Sequence, residues 1–400
     1  MINIEDKSKC CGCGACMQRC PKQCITMCED EEGFLYPMID VSVCIDCSLC
    51  EKVCPMLNQD NPQLPLQIFA AKNNNDDKRL RSSSGGIFIL IAEQIVKRGG
   101  VVFGARFDEN WEVEHCFAET LGELVPLMRS KYVQSRIGNT YKQAEQFLKQ
   151  GRLVLFAGTS CQIAGLRKFL GKEYESLLTI DVVCHGTPSP GIWRDYLNTI
   201  CKELGVGKIT SINFRAKQDE GFEWKQYGLV IKGEILGGKE RNVSSKWFRN
   251  DTYLRGFIGN LYLRPSCKNC PAKSGKSGSD LTLADFWGIE SIAPQFADSV
   301  GISAVFVQSP KGVYVLNSLE NKVLKPMTYE QAVMWNDAYY SSFIEKNSRL
   351  KFWKLYKANH DLVFSVDKAL YELPVKIVFN KLIKNMMYNL KRVGRLIKIY

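Results

Sequence analysis

The chain is 400 residues long, 45% hydrophobic and 24% charged, the composition of an ordinary soluble globular protein with ample core and length for two or three domains. Its formal net charge of +11 is uneven: residues 1–60 carry five Lys/Arg against ten Asp/Glu, so that segment is about −5 and the remainder about +16. Seventeen cysteines, with an N-terminus MINIEDKSKC that has no apolar signal segment, set aside export and a disulfide framework in favour of metal ligation or redox chemistry in the cytoplasm. No base-reading motif accompanies the positive charge, so nucleic acid is not an expected partner.

The first element in chain order is a duplicated cysteine run. Cys10-x2-Cys13-x2-Cys16-x3-Cys20-Pro21 is repeated as Cys44-x2-Cys47-x2-Cys50-x3-Cys54-Pro55. Each copy resembles the ligand run of a bacterial-type ferredoxin, in which three cysteines hold one [4Fe–4S] cluster and the fourth reaches across to the other. On that reading Cys10, Cys13, Cys16 and Cys54 hold one cluster, and Cys44, Cys47, Cys50 and Cys20 the second. Gly12 and Gly14 let the backbone pass close to the sulfurs. Structural zinc also uses C-x2-C pairs, but two quartets in this order, each closed by Cys-Pro, are poorly explained by it. Cys11, Cys24 and Cys28 lie out of register and read as spare. Between the copies, EDEEGFLYPMID forms a turn at Gly33 flanked by short strands. A polar linker, NQDNPQLPLQ, ends this ferredoxin-type α+β domain, taken as residues 1–60.

The body, residues 67–340, reads as a mixed α/β domain. Ser82-Ser83-Ser84-Gly85-Gly86 precedes an apolar helix, IFILIAEQIVKRG, and VVFGARF and WEVEHCFAE follow as a hairpin. SKYVQSRIG leads into the helix NTYKQAEQFLKQG. Two strand–loop–helix units come next. RLVLFAG passes through Thr159-Ser160-Cys161 to QIAGLRKFLG, and LLTIDVV passes through Cys184-His185-Gly186-Thr187-Pro188 to PGIWRDYLNTICKELG. Strands alternating with helices predict a parallel sheet, whose ligands bind beyond the strand C-termini, where Cys161 and Cys184 fall. Residues Lys208 to Val243 read as extended hairpin. Cys267-x2-Cys270-Pro271 follows, and then the strands of DLTLADFWGI and GISAVFVQ.

Cys161, Cys184, Cys267 and Cys270 all occupy loops, and four thiolates converging on one edge would hold a third [4Fe–4S] cluster or a zinc ion. Cys116 and Cys201 read as small buried hydrophobes. The Ser82–Gly86 loop opening a helix is a candidate anion site and equally an ordinary helix cap. No G-x-G-x-x-G occurs at a strand-to-helix turn, so a bound flavin would need a non-Rossmann fold. His185, beside Cys184, is a candidate proton donor and equally a hydrogen-bonding loop residue.

The last segment, 345–400, is a basic helical tail with thirteen Lys/Arg from Lys346 onward. Its apolar positions Leu382, Met386, Leu390, Val393 and Ile397 recur at helical spacing. No 18-residue stretch of it lacks charge, so it does not read as a membrane span. Packing on the body and peripheral contact with the inner membrane face are the two expectations for it.

SSSGGIF, SKYVQS, AGTSCQIAGLRKFLG, IDVVCHGTPSP and CKNCPAKSGKSGSDLTLADFWG resemble the beta-subunit family of coenzyme F420 hydrogenase/dehydrogenase, from about Gln67 to about Val307. The resemblance implies a non-Rossmann flavin domain binding FAD, with a [4Fe–4S] cluster on Cys161, Cys184, Cys267 and Cys270. It places flavin contacts on Ser84, Gly85, Gly86, Lys131, Tyr132, Gln134, Gly158 and Thr159. The expected protein is an iron–sulfur flavoprotein oxidoreductase with His185, Lys131 and Lys276 as candidate proton donors. Its partners would be a ferredoxin-like electron donor or acceptor, or reduced coenzyme, and a small-molecule or glycan-precursor substrate. The alternative is an electron-transfer subunit with no organic substrate of its own.

Overall fold

The computed structural model describes residues 1–235 and 240–371; the expected amphipathic run from Leu382 to Ile397 lies outside the described residues. The strands are β1 (Ile25–Glu29), β2 (Leu35–Ile39), β3 (Gln67–Asn73), β4 (Val101–Phe107), β5 (Val113–Ala118), β6 (Val154–Thr159) and β7 (Leu177–Val182). They continue with β8 (Val206–Ala216), β9 (Gly228–Ile235), β10 (Glu240–Trp247), β11 (Leu281–Asp285), β12 (Ser303–Val307) and β13 (Lys322–Pro326).

Eight of them form one mixed sheet in the order β13-β3-β12-β11-β7-β6-β4-β5. Its centre, β4, β6, β7 and β11, is parallel, and every other pairing in it is antiparallel. The parallel strands are short apolar runs because both of their faces are covered. Val102, Leu155 and Leu178 face the Ile87–Lys97 helix. Val101, Phe103, Val154 and Phe156 face the Thr140–Lys149 and Ser160–Leu170 helices. The expected parallel pairing is borne out in β6 and β7, which pair from Val154↔Leu177 to Thr159↔Val182, although β6 runs straight into its helix at Ser160 with no loop between. That register brings the two strand ends side by side, and with them the residues that follow.

A second sheet, β8-β9-β10, is antiparallel and shares a core with the Pro190–Leu204, Thr252–Ile258, Asn347–Asn359 and Leu362–Tyr371 helices. The β1–β2 hairpin and the Ala15–Arg19 helix belong to the N-terminal segment. That segment is fastened to the body rather than hanging from it. Cys11, Cys13, Ala15 and Val53 share one core with Tyr141, Phe156, Ile163 and Phe169. The Thr140–Lys149 helix has no side-chain cap of its own, and Gln18 Oε1 accepts from the amides of Tyr141 and Lys142 at 3.0 and 3.1 Å. These satisfy free N–H groups of its first turn. Among the described residues no helix is long and apolar enough to cross a membrane.

Candidate functional site

The N-terminal thiols fall into two neighbouring groups. Cys10, Cys16 and Cys54 lie close enough to feel one another's charge, with Cys13 and Cys50 at the margin. Burial pushes the Cys16 thiol up to about 12. Gly12 and Gly14 adopt φ of +72° and +70°, the left-handed region that favours glycine. Cys20, Cys44, Cys47 and Cys50, the other expected set, line one cavity together with Cys24, Ile25 and Ile39. The amides of Ile2 and Asp46 point at the sulfurs of Cys50 and Cys44, each at 3.4 Å. Cys24, which spacing leaves out, stands with its sulfur 3.4 Å from that of Cys20.

The body thiols are delivered by three separate segments. Cys161 lies in the first turn of the Ser160–Leu170 helix rather than in a loop before it, because Thr159 and Gln162 close a capping box around that turn. Cys184 follows β7. The chain from Tyr262 to Arg264 runs beside Thr187 to Ser189, with Arg264 N bonded to the Thr187 carbonyl at 2.9 Å and Ser189 N to that of Tyr262 at 3.0 Å. This carries Cys267 and Cys270, on and just after a 3-10 turn, to the Cys184 loop. All four thiols act electrostatically on one another. Burial raises Cys184 and Cys267 and pushes Cys270 up to about 12. Thr187 N points at the Cys267 sulfur at 3.5 Å, and Lys273 Nζ donates to the Cys184 carbonyl at 2.5 Å.

Soft thiols without histidine or carboxylate between them, with amides and hydroxyls aimed at the sulfurs, are a donor set that fits iron–sulfur clusters. Among the described residues no group of three or more His, Cys, Asp and Glu is placed to hold a single metal ion. Thiols around a cubane stand further apart than those around one ion, since four irons lie between them.

The N-terminal and body groups meet at a junction that spacing does not reveal. Cys11 and Cys13 share one core with Cys161, and a Cβ on Gly165, in the helix that carries Cys161, would come 2.9 Å from the Cys13 sulfur. Nearby, Arg264, 0% exposed, donates from Nε to the Cys10 carbonyl at 2.7 Å and from Nη1 to Gln134 Oε1 at 2.9 Å. Its Nη2 donates to the Leu35 carbonyl at 2.9 Å and points at the Cys10 sulfur at 3.5 Å. Gln134 Nε2 in turn donates to the Cys11 carbonyl at 3.1 Å.

The residues expected at the flavin divide into two groups. Gln134 and Thr159 lie at the thiol junction, the latter with its hydroxyl 3.4 Å from the Cys161 sulfur, and Gly158, just before Thr159, lies close to His115. Ser84, Gly85 and Gly86 pack on β3 and β12: Gly85 N donates to Ser303 Oγ at 3.0 Å, and Ser84 Oγ to the Ile302 carbonyl at 2.8 Å. A Cβ on Gly85 would come 2.3 Å from the Ala71 carbonyl oxygen, so this glycine serves a close backbone approach. Arg215 ties that loop to Tyr132, donating to the Ser83 carbonyl at 3.2 Å and the Tyr132 hydroxyl at 3.3 Å.

Sequence reasoning missed Arg215. It is 2% exposed, paired through both terminal nitrogens with Asp285 at 3.0 and 3.1 Å, and its guanidinium lies 4.1 Å from the Tyr227 ring. Its Nε is buried without a partner, and the Trp224 and Trp287 indoles stack 5.5 Å apart nearby. A buried cation with an unused donor beside flat aromatic faces fits a flat, anionic cofactor such as a flavin. An arginine at the apolar end of β8, directly after Phe214, was the available signal.

The three candidate proton donors lie apart. Lys131 Nζ donates to the carbonyls of Pro126, Met128 and Arg129 at 2.7, 2.8 and 3.3 Å. Burial draws its ammonium down to about 7, whereas three acceptors match the three hydrogens of the charged form. His185 Nε2 contacts Asn260 Oδ1 at 2.6 Å, and burial lowers its pKa. Lys276 is half-buried in the loop before β11; it is Lys273, three residues earlier, that reaches Cys184.

Residues 151–331 match the family described as the C terminus of the coenzyme F420 hydrogenase/dehydrogenase beta subunit. A coenzyme F420-dependent sulfite reductase of Methanocaldococcus jannaschii is 25% identical over 191 residues, covering 46% of this chain and 29% of that protein. An uncharacterized ferredoxin of the same organism is 42% identical over 52 residues, 13% of this chain and 66% of the ferredoxin. The chain thus spans less than two thirds of either relative. Among solved structures, the F420-reducing [NiFe] hydrogenase complex of Methanosarcina barkeri contains a chain aligned with a TM-score of 0.45 at 14% identity, over 70% of this chain and 90% of that one.

Proposed function

Because residues 151–331 belong to the coenzyme F420 hydrogenase/dehydrogenase beta-subunit family, we propose that the protein is an iron–sulfur flavoprotein oxidoreductase acting on an organic substrate. The observation that carries this reading is the meeting of the two thiol assemblies: Cys11 and Cys13 pack in one core with Cys161, so electrons need not cross solvent between them. In this reading Cys10, Cys13, Cys16 and Cys54 hold one [4Fe–4S] cluster, Cys20, Cys44, Cys47 and Cys50 a second, and Cys161, Cys184, Cys267 and Cys270 a third. FAD would be held by Arg215 and the stacked indoles. Bound together, these groups supply single-electron carriage and its conversion to two-electron chemistry.

The chain's own residues do the rest. Arg215, fixed by Asp285, would orient the flavin. Ile2, Asp46 and Thr187 donate amide hydrogens toward the sulfurs. The shared core around Tyr141 and Phe156 excludes water from the junction. Lys131, His185 and Lys276 are the residues from which a proton could be drawn. The donor is a reduced coenzyme, with coenzyme F420 the first to try given the family, or a ferredoxin-like protein.

A second reading, an electron-transfer subunit without its own substrate, is favoured by one observation. Met38, Val41, Val43 and Ile45 are 62%, 67%, 45% and 57% exposed, Ile45 on the rim of the cavity that Cys47 lines, and such exposed apolar side chains suit a protein partner. The discriminating experiment mixes anaerobically purified protein with reduced coenzyme F420 and, separately, with reduced ferredoxin, and follows the visible spectrum. Bleaching of one bound FAD per chain by either donor supports the enzyme reading. Cluster reduction in a chain with no flavin supports the electron-transfer role.

A further inference from the structure

Arg264 is a permanently charged group with no exposed surface, and no carboxylate among the described residues pairs with it; the ionisable groups that act on it are those of Cys10, Tyr36, Cys11 and Cys267. A buried charge left without a countercharge costs several kcal/mol, and a guanidinium cannot escape by losing its proton. Two rings help: the guanidinium carbon lies 4.2 Å from the Tyr36 ring and 5.3 Å from the Phe34 ring. Rings do not neutralise it. The surroundings are nevertheless built around it. A Cβ on Gly12 would come 2.8 Å from Nη1, and four acceptors, from Cys10, Leu35 and Gln134, fix the fork. The residue comes from the body, anchored through its amide to Thr187, yet its charge is inserted into the N-terminal cysteine loop.

Resting on the reading that Cys10, Cys13, Cys16 and Cys54 hold a [4Fe–4S] cluster, we propose that Arg264 is the countercharge of that cluster and sets its reduction potential above that of the cluster held by Cys20, Cys44, Cys47 and Cys50. Reduction adds one electron and breaks no bond, so it adds negative charge that a nearby buried cation favours. Cluster potentials respond to net charge, to hydrogen bonds on the sulfurs and to solvent exposure, and Arg264 supplies the first two. The other cavity has no equivalent among the described residues. Lys22 on its rim is exposed, and the N-terminal ammonium beside it is bonded to Glu51 at 2.9 Å, with Asp46 at 3.3 Å. Arg264 is therefore a positioning residue for electrons: it makes the inner site the easier to reduce and draws charge from the exposed edge toward Cys161.

The test uses the full chain, prepared anaerobically, as wild type, Arg264→Gln, Arg264→Lys and Gln134→Glu, with iron content and an EPR-monitored redox titration as readouts. In Arg264→Gln one midpoint should fall by about a tenfold change in the reduction equilibrium, which is 59 mV for one electron, while the others hold; Arg264→Lys, which keeps the charge, should stay near wild type. Unchanged midpoints in a fully loaded Arg264→Gln protein would overturn the proposal. If that variant comes without iron, Gln134→Glu decides: it sets a carboxylate on Arg264 Nη1 and offsets the charge, so one midpoint should fall, and unchanged midpoints refute the role. Wild-type protein with no [4Fe–4S] signal would overturn the cofactor reading and this role with it.

Discussion

Lys217 has no exposed surface, and its Nζ donates to the carbonyls of Arg79 and Val300, both at 2.8 Å. Burial, reinforced by the positive charge of Arg215, lowers its ammonium to about 7 from an ordinary 10.5. Between those two values the unfolded chain holds a proton that the folded chain has released, so stability rises with pH across that window and the gain is absent below it. Lys217→Met should flatten this rise, measured as the pH dependence of the urea midpoint; an equal slope in both proteins would refute the assignment. The cysteines allow a sharper contrast. Cys267→Ser should lower iron from about twelve to about eight atoms per chain, since a cubane that loses one of its four thiolates is poorly held. Cys11→Ser should leave iron unchanged, although Cys11 shares a core with Cys13 and Cys161, because both of those sites already have four other thiols. Iron loss in Cys11→Ser of the size seen for Cys267→Ser would mean that the ligand sets are misassigned.

Among the elements, the joint between the N-terminal hairpin and the body depends on one close approach. Gly33 turns between β1 and β2 at φ +84°, and a Cβ there would lie 2.3 Å from the amide nitrogen of Gly191. The Ser189 hydroxyl donates to the Glu32 carbonyl, and Arg349 pairs with Glu32, so turn and helix start are held together. Gly33→Ala combines a left-handed backbone, worth roughly 1–2 kcal/mol against it, with that overlap. It should lower stability by more than about 2 kcal/mol and speed proteolysis within residues 58–66; wild-type resistance would show that the joint yields at little cost. The joint was hardly legible in the sequence. The turn at Gly33 and the cysteine register are local patterns, and both could be read directly. Gln18 capping a helix more than 120 residues away leaves no periodic trace. The start of the Ser160–Leu170 helix was readable in principle, since Thr159 and Gln162 have capping-box spacing, but the cysteine between them drew the reading toward a loop. The acidic balance of the first 60 residues is used largely within the chain: Glu29, Glu31, Glu32 and Asp60 pair with Arg194, Lys357, Arg349 and Lys168.

At the scale of the whole molecule the thiols form one continuous run. It starts at Cys47, which is exposed, and passes through Cys50, whose charge is felt by Cys16 and Cys54. It continues by Cys13 and Cys11 to Cys161, and ends at Cys184, Cys267 and Cys270. The parallel register of β6 and β7 and the return of Tyr262 to Arg264 along the Cys184 loop create its inner end. Cysteine positions alone supply its members but not its order, because order depends on which cysteine set faces the body. Whether the inner end carries iron decides between a relay and a ferredoxin-headed carrier. Iron, sulfide and flavin should therefore be counted on anaerobically purified chain, with a visible spectrum before and after dithionite. About twelve irons per chain, four for each of three clusters, with one FAD that bleaches on reduction, is the expected result; about eight irons and no flavin would contradict the relay.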